Sequence, residues 1–280
     1  MTTSNPTSDY ALGSTDAEHQ RLIRQAAHFA PLTERLFREA GIGVGQRVLD
    51  LGSGVGDVAM VAARLVGPSG EVLGIERDLR AIARARVRAS EAGLTNVSFI
   101  QSDLSAISSD KSFDAAVGRF ILMYLPAPAG TLRSLSQLLR PGGVLAFQEP
   151  SWVPVLALYA QLPLWSACSS LIVQAFQCSG ADVNIGTALY EIFQKAGLAA
   201  PTMHMDVVIG KDPDFSQGIY DLLYSLKPQI ERFDLNLDAL GNFGTLPQRL
   251  QEELAASSAV ATWLGAVVGA WSRKPLELAR

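Results

Sequence analysis

Residues 47–60 read RVLDLGSGVGDVAM: an apolar run ends in Asp50, glycines follow at 52, 54 and 56, and an alanine-rich segment begins after Asp57. A strand that passes through such a turn into a helix leaves free backbone N–H groups and the positive end of the helix facing a ligand. Glycine lets that ligand approach the backbone closely. A dinucleotide fingerprint needs a third glycine where Asp57 stands. The acids at 50 and 57 repel a pyrophosphate and suit a cationic group. Further acids end two later apolar runs, Glu76 in VLGIERD and Asp103 in FIQSDL. On a doubly wound sheet Glu76 lies beside the glycine turn, where a carboxylate can accept hydrogen bonds from both hydroxyls of a ribose. Asp103 can take the exocyclic amine of a purine. A ligand with a purine, a ribose, an ammonium and no phosphate is S-adenosylmethionine. Each acid also has a plainer reading: Asp50 as a turn cap, Asp103 as the N-cap of a helix after 104, and Glu76 with Arg77 as a surface pair.

The elements that must position these residues follow from periodicity. Apolar positions at helical spacing over 16–40 (Leu22, Ile23, Ala26, Phe29, Leu32, Leu36, Phe37), broken by Pro31, predict two short helices ahead of the core. Strands are predicted at 48–51, 71–75, 97–100, 114–118 and 144–148, alternating with helices over 58–66, 78–92 and 128–139. The arginines between Arg77 and Arg88 alternate with apolar residues, as on the solvated face of a helix. The alternation of strand and helix specifies an α/β fold, a doubly wound parallel sheet covered on both faces. Residues 151–180 carry no charge but contain Trp152, Tyr159, Trp165 and Phe176. Pro154, Gln161, Pro163, Gln174 and Gln177 interrupt this stretch, so it reads as a buried cover over a pocket and not as a membrane span. A helix over 186–196, a sixth strand over 203–209, helices over 214–257 and a last strand within 259–271 complete the chain. The expected division is an N-terminal arm with lid helices (1–43), a cofactor-binding core (44–150), and a helical substrate cover with the remaining core helix and strands six and seven (151–280).

The stretches VLDLGSGVGD, GIERD, QSDL, FDAAVGRFILMYLP and LLRPGGVLAFQEP, in this order, resemble the class I S-adenosylmethionine-dependent methyltransferases. They are most similar to the methyltransferase domain shared with ubiquinone/menaquinone-biosynthesis C-methyltransferases. The resemblance is strong over 45–150 and looser over GTALYEIFQKAGL and the final strand. It implies a Rossmann-like sheet of seven strands whose last strand is antiparallel. It also implies that Gly52, Ser53 and Gly54 lie under the methionine part of the cofactor, with Asp50 near its ammonium, directly or through water. By the same resemblance Glu76 holds the ribose, Arg77 flanks the adenine, and Asp103 with the Leu104 amide reads the adenine edge. Gly118 and Arg119 then border the methionine end.

Methyl transfer is an in-line displacement at a carbon bonded to a sulfonium, helped by alignment and a dry cavity. A general base is needed only if the acceptor must lose a proton during attack. Glu149, at the end of the fifth strand, is a candidate base; its alternative is a structural salt bridge with Arg119, itself a candidate catalytic group. His28, among Ala26, Ala27 and Phe29, is a second candidate base or a structural histidine. His204 reads as peripheral, and Tyr10, Tyr124 and Tyr224 as residues that could orient a substrate. The uncharged aromatic stretch favours a small lipophilic or aromatic acceptor, methylated on oxygen or carbon, and would serve equally as a homodimer interface. Two alternatives keep the same turn: a cofactor-binding protein catalysing dehydration or pericyclic chemistry, and a nicotinamide-dependent oxidoreductase. Asp57 and the lack of a Tyr-x-x-x-Lys pair weigh against the second.

The totals bound these readings. Hydrophobic residues make up 48% and charged residues 18% of 280, a globular composition. A formal charge of −4 argues against nucleic acid as a partner. Cys168 and Cys178 fit no metal or disulfide spacing and read as buried small side chains in a reducing compartment. Residues 1–9 are polar, without a basic or apolar leader region, and read as a disordered arm of a cytoplasmic protein.

Overall fold

A computed structural model describes residues 12, 15–102 and 112–276 of the chain. The expected arm over 1–9, Tyr10, and the candidate adenine contacts Asp103 and Leu104 lie outside those residues.

The elements, in order, are α1 (Asp16–Glu39), β1 (Arg47–Leu51), α2 (Asp57–Val66), β2 (Glu71–Glu76), α3 (Leu79–Glu91), β3 (Val97–Gln101), β4 (Phe113–Arg119), α4 (Pro128–Leu138) and β5 (Leu139–Ser151). There follow α5 (Val153–Leu156), α6 (Pro163–Cys178), α7 (Leu189–Lys195), β6 (Thr202–Asp206), β7 (Ile209–Gly210), α8 (Pro213–Arg232), α9 (Leu246–Ala256), β8 (Ala261–Thr262) and β9 (Ala266–Arg273). They fall into two compact units. One takes in Leu22–Pro150, Ile185–Asp206 and the chain from Val267; the other takes in α1 up to Arg21, Ser151–Asn184 and Val207–Ala266.

The first unit holds a seven-stranded sheet in the order β3-β2-β1-β4-β5-β9-β6. β1 runs parallel to β2 and β4, β2 to β3, and β4 to β5, while β9 is antiparallel to β6. The short apolar runs expected of strands covered on both faces are buried accordingly: Val48, Leu49 and Leu51 on β1, Ala115, Ala116 and Val117 on β4, and Leu145, Ala146 and Phe147 on β5 have no exposed surface. Ala59, Ala62 and Ala63 let α2 lie close to the sheet. On α3, Ala81, Ile82, Ala85 and Ala89 turn inward, and the Asp78 side chain caps the helix by accepting from the Arg80 amide at 2.9 Å.

Three expectations change. Pro31 lies inside one continuous helix, α1, and does not divide two. The hydrogen bond it forfeits is offset by the burial of Phe29, Thr33, Leu36 and Phe37 on the same stretch. β5 begins at Leu139, five residues early, because the Pro-Gly-Gly turn signal is drawn into extended pairing: the Gly142 amide donates to Lys274 and the Lys274 amide to Gly143. The single strands expected over 203–209 and within 259–271 each split in two. Their outer pieces, β7 and β8, form a separate two-stranded antiparallel sheet in the second unit. Leu264, at φ 59, and Gly265 make the break before β9.

In the second unit the uncharged stretch packs into a core. Trp165 and Tyr159 are buried; the Trp165 indole donates to the Leu250 carbonyl at 3.0 Å, and the Glu253 carboxylate accepts the Leu164 and Trp165 amides at the start of α6. Trp152 and Trp263 are buried in the same unit, whereas Trp271, on β9, belongs to the first. Cys168 is buried as expected, but Cys178, on the outer end of α6, is exposed. Among the described residues no helix is long and apolar enough to cross a membrane.

Candidate functional site

Asp50 sits on the central strand, in register with Gly74 on β2 and Val117 on β4. Its side chain is 1% exposed, and neither carboxylate oxygen has a hydrogen-bond partner among the described residues. Burial pushes its carboxyl well above the usual range; the Arg119 guanidinium pulls it back, as does, less strongly, the Ala59 backbone amide, which stands outside hydrogen-bond geometry. A buried carboxylate without donors is costly, and a cation or donor supplied by a ligand would remove the cost.

The turn that follows is closed by the Ser53 amide on the Ile75 carbonyl (2.9 Å) and the Gly56 amide on the Ser53 carbonyl (2.8 Å). Gly52, Gly54 and Gly56 all have positive φ, at 63°, 51° and 89°. Their surroundings differ. A Cβ on Gly52 would lie 2.6 Å from Ile121 Cδ1, and one on Gly56 3.0 Å from Ala85 Cβ and from the Phe99 ring. Only at Gly54 would it meet nothing within 4 Å. Open approach for a ligand is therefore a property of Gly54, while Gly52 and Gly56 admit the protein's own side chains. Ser53 Oγ, beside Gly54, is buried and has no partner among the described residues. Asp57 is not a bare negative charge: its Oδ1 is 2.6 Å from Arg88 Nη2. Its expected repulsion of a phosphate is correspondingly reduced.

Glu76 closes the other side of the turn. Its Oε2 accepts from the Gly54 amide (2.9 Å), and its Oε1 accepts from the Arg77 (2.7 Å) and Asp78 (3.1 Å) amides. Three of about four acceptor positions on the carboxylate are thus used by backbone. Arg77 is tied to Glu76 through its amide, and its side chain is exposed.

At the ends of β4 and β5, Gly118 pairs with Phe147 and Arg119 with Gln148. A Cβ on Gly118 would stand 2.8 Å from the Phe147 ring and 2.9 Å from Ile121 Cγ2, so this glycine too makes room for the chain itself. Arg119 Nη1 donates to Thr33 Oγ1 at 2.9 Å, and the Thr33 hydroxyl lies 2.6 Å from Gln148 Oε1. The guanidinium carbon is 5.9 Å from the ring centres of both Phe29 and Phe120, which meet edge to face at 5.4 Å. Burial lowers the Arg119 pKa, while the Asp57 and Asp50 carboxylates raise it. Phe120 holds a left-handed backbone, φ 55, with its amide on the Gln148 carbonyl.

Glu149 does not pair with Arg119. Its oxygens accept the amides of Ile121, Leu122 and Met123, because the turn after β4 points three consecutive N–H groups at it. Burial pushes its carboxyl up to about 8 against the pull of those amides. His28 is partly exposed on α1, and Tyr124 partly exposed after β4. Tyr224 is exposed in the second unit. His204 lies on the outermost strand between Glu39 (3.4 Å) and Asp206 (3.5 Å), peripheral as expected. The structure therefore brings Asp50, the 52–54 turn and Glu76 together, with Arg119 acting electrostatically on Asp50. Sequence reasoning missed Thr33, Phe120, Ile121 and Gln148. Phe120 and Ile121, inside FDAAVGRFILMYLP, and Gln148, inside LLRPGGVLAFQEP, lay in stretches already singled out; Thr33 carried no signal.

Residues 42–197 match the model of a family described as a methyltransferase domain. Over 123 residues the chain is 36% identical to aklanonic acid methyltransferase DauC of Streptomyces sp. (strain C5), covering 44% of this chain and 56% of that protein. Over 117 residues it is 36% identical to the ubiquinone/menaquinone biosynthesis C-methyltransferase UbiE of Pseudomonas paraeruginosa, covering 40% and 46%. The chain thus spans about half the length of these curated relatives. The crystal structure of the YcgJ protein from Bacillus subtilis superposes with a TM-score of 0.57 at 16% identity, over 89% of this chain and 99% of that one, a likeness of fold.

Proposed function

Because this chain belongs to the methyltransferase domain family over residues 42–197, we propose that it transfers the methyl group of S-adenosylmethionine to a small lipophilic or aromatic acceptor, on oxygen or carbon. The observation that carries the cofactor is Asp50, a buried carboxylate with no donor in hydrogen-bond geometry among the described residues, two residues before a glycine turn that is open at Gly54. An ammonium satisfies that carboxylate; a pyrophosphate does not. In this reading Asp50 takes the ammonium, the 52–54 backbone lies along the methionine part, and Gly118 and Arg119 border it. Glu76 accepts a ribose hydroxyl through its remaining lone pair or in exchange for the Gly54 amide. Arg77 flanks the adenine, and Asp103 with the Leu104 amide reads its edge.

When bound, the cofactor supplies an electrophilic methyl group on a sulfonium. The residues of the chain orient the reactants and keep the site dry. Arg119 counters the charge of Asp50 from the strand-four side. His28 is the candidate for proton removal, needed only with an acceptor that loses a proton during attack. DauC is named for aklanonic acid and UbiE for ubiquinone and menaquinone biosynthesis, which supports a small organic acceptor.

Calorimetric titration of the full chain with S-adenosylmethionine, S-adenosylhomocysteine and NAD tests the reading. Micromolar binding of the first two and none of NAD is expected. A screen of lipophilic phenols and enols, read by release of S-adenosylhomocysteine, then identifies the acceptor class. Binding of NAD alone, or of none of the three, would sink the proposal; binding with no acceptor turned over would favour a non-methylating reaction.

A further inference from the structure

Glu149, two residues before the end of β5, has no exposed surface, and its oxygens accept three consecutive backbone amides: Ile121 at 3.1 Å, Leu122 at 2.9 Å and Met123 at 3.3 Å. These amides open the short turn Leu122–Tyr124, so the carboxylate caps it from a neighbouring strand. Ile121 follows Phe120, whose left-handed backbone persists only where its surroundings hold it. The Ile121 side chain, in turn, fills a notch left by two glycines. Its Cδ1 is 2.6 Å from where a Cβ of Gly52 would stand, and its Cγ2 is 2.9 Å from where one of Gly118 would stand. The first of these contacts is on the glycine turn, two residues after Asp50.

We propose that Glu149 is a positioning residue: by holding the 121–123 amides it seats Ile121 between Gly52 and Gly118, and so fixes the glycine turn and the aim of Asp50. A general base needs a lone pair turned toward the acceptor, and three amides already engage this carboxylate. The placement of the cofactor rests on the reading under Proposed function; the mechanical link from Glu149 to the turn rests on the contacts alone.

Amide hydrogen exchange and titration with S-adenosylhomocysteine, on the full chain, test it in the wild type, Glu149→Gln, Ile121→Ala and the double variant. Glu149→Gln is expected to speed exchange both at 121–123 and at 52–54, and to weaken binding about tenfold, the size of one lost buried contact. Ile121→Ala should speed exchange at 52–54 alone. The double variant should bind no more weakly than the worse single variant, because both act through one contact. In turnover, Glu149→Gln should raise KM for the cofactor and keep the limbs of the wild-type pH profile.

Unchanged exchange at 52–54 in either variant would overturn the proposal, as would fully additive losses. Unaltered binding with a lost limb in the pH profile would mark Glu149 as a base and overturn it too. Should Glu149→Gln fail to fold, the partly exposed Ile121→Ala decides through its exchange at 52–54. Should the wild type not bind S-adenosylhomocysteine, the cofactor reading falls, and the exchange data still decide the positioning role.

Discussion

Asp50 gives the first unit a stability cost at the point where its proposed ligand would bind. An Asp50→Asn substitution keeps the shape and removes the group whose charge burial penalises, so the variant should lose less stability than the wild type as pH rises above the ordinary carboxylate range. Denaturant unfolding at acid and neutral pH checks that difference, and titration should show cofactor binding lost in the same variant. Glu149 makes a separate prediction about pH. Its carboxyl is raised to about 8 from 4.5, so the folded state keeps a proton that the unfolded chain has released. The stability it contributes is full below about pH 4.5, falls as pH rises, and is gone above about 8. Unfolding midpoints across that window should decline more steeply in the wild type than in Glu149→Gln; equal slopes would refute the assignment. Asp50, Gly54 and Glu76 could be placed from the sequence because each lies at, next to or just after the C-terminal end of a strand, where sequence order alone puts side chains at one end of the sheet. Thr33 was not, since its partners Arg119 and Gln148 are 86 and 115 residues away in sequence.

At the scale of elements, the glycine turn shows how one motif can hide different causes. All three of its glycines need a positive φ, yet only Gly54 faces open space. Gly54→Ala should therefore cost about 1–2 kcal/mol for the left-handed backbone alone. Gly52→Ala adds a clash with Ile121 and should cost clearly more; urea unfolding of the two variants ranks them, and the reverse order would contradict the contact. Periodicity identified each of the five parallel strands and their helices because burial on both faces leaves short apolar runs. It failed where backbone chemistry gave way to tertiary pairing. Pro31 did not break α1, since one face of that helix is buried across the proline, and the Pro-Gly-Gly of 141–143 did not stay a loop, since Lys274 pairs with it.

For the whole molecule, the first unit was largely legible and the second was not. The stretch 151–180 announced burial through its lack of charge, but composition does not say against what; Trp165 and Tyr159 turned out to face Leu250 and Thr262, far along the chain. Ligand linkage gives a test at this scale. S-adenosylhomocysteine at a hundred times its dissociation constant should stabilise the unit that contains Asp50 by about 2.7 kcal/mol. Scanning calorimetry with and without it should show the shift, and NAD should produce none. The tryptophans supply a built-in optical label for such work. Three of the four, at 152, 165 and 263, lie in the second unit, and Trp271 alone lies in the first. Emission from the native chain is therefore dominated by the unit without the glycine turn. A Trp271→Phe variant would silence the first unit, so the difference between the two spectra follows that unit alone as it melts.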